Sequence, residues 1–393
     1  MSIGPIGTHV FDALDPAALR ARHSNKWSLW NEPVLPAWVA DMDFPVADPI
    51  RDAVASAVAM SDWCYPPEAL RAEFAAAGCD WMRRRHGYDA DPALALLLND
   101  VVQGLQLILH SMSARADHVI VHTPSYPPFL ESIDELNRVV AVSPMVLGER
   151  FEIDLDELAR LAAQAEILIL CNPQNPTGRV FSPDELLAIG EIAIEHDLVV
   201  ISDEIWADLL APGHRHVSFA SLSPEIAART ITLISPSKPF NTAGLRAALM
   251  IFGTAALKER VMKHTPSHLL GTINNAGLLG GIAAYTKCDS WLADTNEYLD
   301  VNRRYVAARI SSDMPMIRHV PGEATYVAWL DCSALPVDDD ARYWFVKHAL
   351  VGGNDGKKFG PEFGGCTRLN FATSRPILTE IMDRMARAVA AVV

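Results

Sequence analysis

Four short runs of apolar, largely β-branched residues, each stopped by a cluster of small polar residues, constrain this chain more than any other feature. His118-Val119-Ile120-Val121 runs into Thr123-Pro124. Ile167-Leu168-Ile169-Leu170 runs into Cys171-Asn172-Pro173. Leu198-Val199-Val200-Ile201 runs into Ser202-Asp203-Glu204, and Thr230-Ile231-Thr232-Leu233-Ile234 runs into Ser235-Pro236-Ser237-Lys238. Runs that are apolar on both faces read as strands covered on both sides, which is the habit of a parallel sheet. Helical stretches lie between them. Ser182-Pro183-Asp184-Glu185-Leu186-Leu187 opens one, with an N-cap serine, proline at the first helical position and early acids. Strand, helix, strand repeated in this way predicts an α/β fold with helices on both faces of a mainly parallel sheet.

Open sheets of this kind bind ligands beyond the C-terminal ends of their strands. Asn175, Asp203, Ser235, Ser237 and Lys238 all follow such ends and are expected to converge on one site, though far apart in sequence. A chain of 393 residues exceeds what one hydrophobic core usually serves. Residues 46–284 are expected to form the large domain. Residues 285–393, with residues 1–45 as an N-terminal arm, are expected to form a small α+β domain. In it, the stretch Pro321 to Leu330 reads as a turn and a strand, Thr367 to Ala372 as a second strand, and Ile377 to Val393 as a closing helix.

Composition narrows the function. The formal net charge of -15 opposes binding to the phosphate backbone of nucleic acids and docking on anionic lipid. The start, MSIGPIGTHVFDAL, lacks a basic region followed by an apolar one, so no secretory signal is expected, and no apolar run is long enough to span a bilayer. The six cysteines are scattered without a C-x-x-C pair, which predicts reduced thiols in a cytoplasmic enzyme and no metal site.

Three motifs bear the chemistry. Ser235-Pro236-Ser237-Lys238-Pro239-Phe240-Asn241 resembles the lysine segment of fold-type I pyridoxal-phosphate enzymes. Asn172-Pro173-Gln174-Asn175-Pro176-Thr177-Gly178 resembles their Asn-Pro-x-Asn-Pro-Thr-Gly loop, and Ser202-Asp203-Glu204-Ile205 their aspartate-bearing strand end. The three occur in the family's order and spacing, and the resemblance covers nearly the whole chain. Lys26-Trp27, the segment Leu35 to Pro45 (LPAWVADMDFP), Thr123-Pro124-Ser125-Tyr126-Pro127-Pro128-Phe129 and Ala324-Thr325-Tyr326-Val327-Ala328-Trp329-Leu330-Asp331 are most similar to cystathionine β-lyase-like C–S lyases of the MalY/PatB type. The resemblance implies the aspartate-aminotransferase-like fold, pyridoxal 5'-phosphate as cofactor, an amino acid as the small-molecule substrate, and a homodimer.

It also implies roles. Lys238 would carry the cofactor and act as base, which calls for a neutral amine. Asp203 would face the ring nitrogen and keep it protonated, the condition for an electron sink. Asn175 would donate to the ring oxygen, and Tyr126 would stack on the ring. The phosphate would sit at a helix beginning at Gly104, Leu105 and Gln106, with the hydroxyls of Ser235 and Ser237, the charge of Arg246, and Tyr65 from a second copy of the chain. Arg368 would fork onto the substrate carboxylate, with the backbone near Val39 and Ala40 completing that pocket and Arg375 as a second choice.

The sequence departs from its relatives at Trp206, three residues after Asp203, where aminotransferases usually carry tyrosine and the C–S lyases histidine. An indole donates one hydrogen bond but neither accepts one nor shuttles protons. Gln174 replaces a frequent histidine, and Gly244-Leu245-Arg246 leans toward aminotransferases. The expected reaction is β-elimination from a cysteine S-conjugate. The alternatives are transamination, a decarboxylating or oxidatively deaminating specialised reaction, and a regulatory role on the same fold.

Overall fold

The computed structural model describes residues 10–392. The first nine residues of the expected arm and Val393 of the closing helix lie outside the described residues. The chain divides into two compact units, one of Val46–Gln174 and Arg179–Ala293, the other of the described residues through Pro45, Asn175–Gly178 and the segment from Asp294 onward.

The larger unit is built on a seven-stranded sheet. Its strands are β1 (Ala95–Leu98), β2 (His118–Thr123), β3 (Val139–Pro144), β4 (Ala165–Cys171), β5 (Val199–Asp203), β6 (Thr230–Ile234) and β7 (Ala248–Phe252), in the spatial order β1-β7-β6-β5-β4-β2-β3. The four apolar runs are β2, β4, β5 and β6, and they pair in parallel with one another and with β3. β7 runs antiparallel to both β6 and β1. Ile167, Leu168, Leu170, Val200, Ile201 and Ile231 are all fully buried. Each such side chain withdrawn from water contributes roughly 1.5–3 kcal/mol.

The helices that position the site are α1 (Asp48–Ala59), α2 (Glu68–His86), α3 (Val101–Met112), α4 (Pro127–Glu135), α5 (Pro183–Glu195) and α6 (Asn275–Lys287). α5 starts as its sequence demands. Ser182 accepts from the Glu185 amide, Glu185 accepts from the Ser182 amide, and Pro183 takes the first position. α3 lies close against the sheet because Gly104 has no side chain: a Cβ there would stand 2.7 Å from Leu98 Cδ1 and 2.8 Å from Leu233 Cδ2. Among the described residues, no helix is long and apolar enough to cross a membrane, and no group of three or more His, Cys, Asp or Glu side chains could hold a metal ion.

The smaller unit carries a three-stranded antiparallel sheet of β8 (Val327–Asp331), β9 (Asn354–Asp355) and β10 (Cys366–Asn370), in the order β8-β10-β9. A helix, α7 (Arg375–Ala390), closes it behind an N-cap at Ser374. The arm joins through a short parallel pairing of Leu35–Pro36 with Val351–Gly352, and a buried ion pair braces it internally. Lys26 Nζ lies 2.9 Å from Asp43, which also accepts from Trp27 Nε1 at 2.7 Å. The loop Asn175–Gly178 belongs to this unit too. Gly178 has φ +72°, and a Cβ on it would stand 2.8 Å from both Ala324 O and Gly322 Cα, so only glycine fits.

Candidate active site

In the larger unit, register sets the site. Cys171 pairs with Asp203, and Asp203 with Leu233, so the polar residues after β4, β5 and β6 emerge side by side at the C-terminal edge of the sheet. Asp203 ends β5, is buried, and accepts one backbone bond from the Ile205 amide at 3.0 Å. Burial pushes its carboxyl up to about 7. The Ile205 amide and, more weakly, Lys238 oppose that rise, and the neighbouring Glu204 adds to it. A desolvated carboxylate so placed lacks a strong cationic hydrogen-bond partner, and a protonated ring nitrogen is the kind of group that would complete it.

Lys238 lies in the turn after β6 and is half-buried. Its Nζ stands 5.8 Å from the centroid of the Trp206 ring, and Trp206 is itself buried, so the structure brings the two together. The turn is held by Phe240 N donating to Pro236 O and Thr242 N donating to Ser237 O, both at 3.0 Å. Tyr126 precedes the first turn of α4, half-buried, its ring edge-on to Phe129 at 5.5 Å.

The phosphate expectations need correction. α3 begins at Val101, with Asp100 as N-cap accepting from the Gln103 amide. The outward-facing amides of a helix are those of its first turn. Gly104, Leu105 and Gln106 stand one turn further in: Gly104 N already donates to Asp100 O at 3.4 Å, and the Gln106 side chain donates to Ser132 and Glu135. The first-turn amides are those of Val101 and Val102, a helix start that the N-cap aspartate signals. Ser235 is also committed, since its one hydroxyl proton goes to Ala247 O at 2.7 Å while its oxygen accepts from the Ser237 amide at 3.1 Å. Arg246, with φ +57°, is paired with Asp100. Tyr65 follows α1 and is 95% exposed.

In the smaller unit, Arg368 sits on β10 and is buried. Its guanidinium donates to Asn175 Oδ1 at 2.8 Å, to Asn354 Oδ1 at 2.7 Å and to Trp38 O at 3.2 Å, and it lies over the Phe359 ring at 5.1 Å. Asn354 and Trp38 are therefore orienting residues that the sequence did not single out. Nor did it single out Asn370 and Tyr326. Asn370 Nδ2 donates to Val39 O at 2.7 Å, and Tyr326 OH donates to Ala40 O at 2.8 Å, fixing that backbone. Arg375 is held elsewhere, by Asn302 and across the Tyr305 ring.

Residues 41–384 match the family of class I and II aminotransferases. The chain is 32% identical to cystathionine β-lyase PatB of Bacillus subtilis over 90% of this chain and 92% of the relative. It is 33% identical to the cystathionine β-lyase of Corynebacterium glutamicum, over 94% and 97%. Its structure is similar to that of the pyridoxal-phosphate-bound C–S lyase of Staphylococcus hominis, with a TM-score of 0.88 and 28% identity over 97% of this chain and 98% of the other. Sheet order, motif placement and these likenesses agree: the chain belongs to the class I and II aminotransferase family and has its aspartate-aminotransferase-like fold.

Proposed function

We propose that this protein is a pyridoxal-phosphate-dependent C–S β-lyase that converts a cysteine S-conjugate and water to a thiol, pyruvate and ammonia. The observation that carries the reading is a buried Asp203 carboxyl together with an amine, Lys238, that lies over an indole and bears on it electrostatically. The likeness to cystathionine β-lyases across nine-tenths of the chain directs that machinery to sulfur chemistry.

Bound pyridoxal 5'-phosphate supplies an electron sink conjugated with the substrate's α-carbon. Lys238 would carry the cofactor until the substrate amine takes its place, and the freed Nζ would then take the proton from that α-carbon. The electron pair of the broken C–H bond forms the Cα=Cβ bond while the Cβ–S bond breaks, and the sulfur leaves as thiolate. Asp203 holds the proton on the ring nitrogen. Asn175 donates to the ring oxygen and Tyr126 packs on the ring. Trp206, buried and without an acceptor atom, moves no proton. Val101, Val102, Ser237 and Arg246, the last now paired with Asp100, would hold the phosphate. Arg368, already oriented by Asn354, forks onto the α-carboxylate.

The assembly we infer is a homodimer, in which the exposed Tyr65, Trp63 and Met60 meet a second copy and Tyr65 reaches its phosphate site. Six free cysteines suit a cytoplasmic enzyme.

The test incubates the yellow holoenzyme with a cysteine S-conjugate and no keto acid, following pyruvate, thiol and the cofactor spectrum. Continuous release of pyruvate and thiol supports the lyase. A single turnover to the amine form of the cofactor, relieved by a keto acid, makes the protein an aminotransferase, the reading that Gly244-Leu245-Arg246 favours.

A further inference from the structure

Glu204 follows Asp203 and is buried. Its Oε1 accepts from Ser202 Oγ at 2.8 Å, Ser218 Oγ at 3.0 Å and the Phe219 amide at 3.1 Å. Its Oε2 lies 3.0 Å from His216 Nε2. Burial raises its proton affinity, but the electrostatic pull of His216 and the hydrogen bonds from His216, Ser202 and the Phe219 amide outweigh that and hold it below the usual carboxylate range.

The state of His216 decides whether this charge is neutralised, and its hydrogen-bond partners point to a neutral ring. The Phe181 amide donates to Asn172 Oδ1 at 3.1 Å, which leaves the Asn172 NH2 to face His216 Nδ1 at 3.4 Å. A nitrogen that accepts carries no proton, so the proton sits on Nε2 and His216 is neutral. Burial likewise pushes the imidazole below its ordinary value, against the pull of Glu204. His86 meets His216 edge-on at 5.1 Å and is itself bonded to Asp208 at 2.9 Å. Asp208 in turn accepts from Trp81 Nε1, with Arg85 3.9 Å away. Burial, and after it the Glu204 charge, push the Tyr88 phenol up. Lys238 is the cation that bears on Asp203. The Glu204–His216 pair thus carries a full uncompensated negative charge one residue from Asp203.

We propose that Glu204 is a positioning residue: a permanent buried anion, locked by His216 and Asn172, that acts with Asp203 to keep the proton on the ring nitrogen of the cofactor. It touches neither cofactor nor substrate. Its field crosses a dry interior, where a unit charge acts far more strongly than in water. The inference rests on the assignment of Asp203 to the ring nitrogen.

The test loads the protein with ring-15N pyridoxal 5'-phosphate and follows the nitrogen resonance against pH. In Glu204→Gln, the pH at which the ring nitrogen loses its proton falls by about one unit or more. Asp203→Asn serves as the control, and there the ring nitrogen is unprotonated throughout. If Asp203→Asn titrates like the parent, the Asp203 assignment fails. If Asp203→Asn loses the proton and Glu204→Gln titrates like the parent, the Glu204 proposal alone is overturned. The unsubstituted protein gives a second measurement, in case the glutamine amide, facing four donors, disrupts folding. With 15N-histidine, His216 is expected as the neutral Nε2–H tautomer from pH 6 to 9, and an imidazolium there would neutralise the pair and overturn the proposal.

Discussion

At Lys238 one amine serves as anchor and base, and both duties depend on where β6 ends. The residue is half-buried in a turn held by backbone bonds that do not involve its side chain. Lys238→Ala is therefore expected to lower kcat by about four orders of magnitude or more while leaving the fold intact. The check pairs turnover of a cysteine S-conjugate with the thermal midpoint of the apoprotein. Full turnover would remove Lys238 from the mechanism, and a collapsed midpoint would mean that the loss is structural. Arg368 shows a different economy of contacts. Three oxygens orient it before any substrate arrives, so Asn354→Ala is expected to raise KM for the amino acid several-fold with little change in kcat. Equal losses in both constants would instead place Asn354 in the reaction itself.

Elements differ in how much of them can be read from residue order. The four inner strands were legible because burial on both faces leaves a continuous apolar signature, and α5 was legible because Ser182, Pro183 and Glu185 form a local cap. β7 (ALMIF) reads no differently from a parallel strand, and only pairing shows it antiparallel. α3 starts at Val101 behind Asp100 rather than at Gly104, whose smallness serves Leu98 and Leu233. The link from His216 to Glu204 spans 12 residues of loop and carries no periodic signal at all. The same contrast separates two substitutions. Ser182→Ala removes one cap and is expected to cost about 1 kcal/mol. Gly253→Ala would place a Cβ 1.8 Å from Ala227 O, a clash with backbone that no rotamer relieves, and is expected to cost about 1–3 kcal/mol or prevent folding. Thermal melts of the two variants rank them, and a milder Gly253→Ala would show that the segment after β7 yields.

Across the molecule, acid stability gathers the buried titrating groups into one observable. Burial pushes the His122 imidazole down to about 4, with contact to Ser143 opposing, and its Nε2 has no hydrogen-bond partner to receive a second proton's charge. In the unfolded chain the same group protonates near 6.5. Between those two values the unfolded state binds the extra proton, so stability is full above about pH 6.5 and is lost as pH falls toward 4. The span corresponds to about 3 kcal/mol. His216 and His319, also pushed down by burial, act in the same direction. Asp203 acts in the opposite one. Its folded value near 7 lies above the unfolded value of 3.8, so in the apoprotein its contribution is present at low pH and is lost as pH rises toward 7. A cationic ring nitrogen against Asp203 would lower its proton affinity and cancel that opposing slope. The thermal midpoint of the holoenzyme should therefore fall more steeply from pH 6.5 to 4.5 than that of the apoprotein, and His122→Gln should flatten both by the same amount. If His122→Gln leaves the slopes unchanged, the histidine is already charged in the folded state. If removing the cofactor leaves the slope unchanged, Asp203 is not the carboxylate that the cofactor neutralises, and the ring nitrogen must find its partner elsewhere.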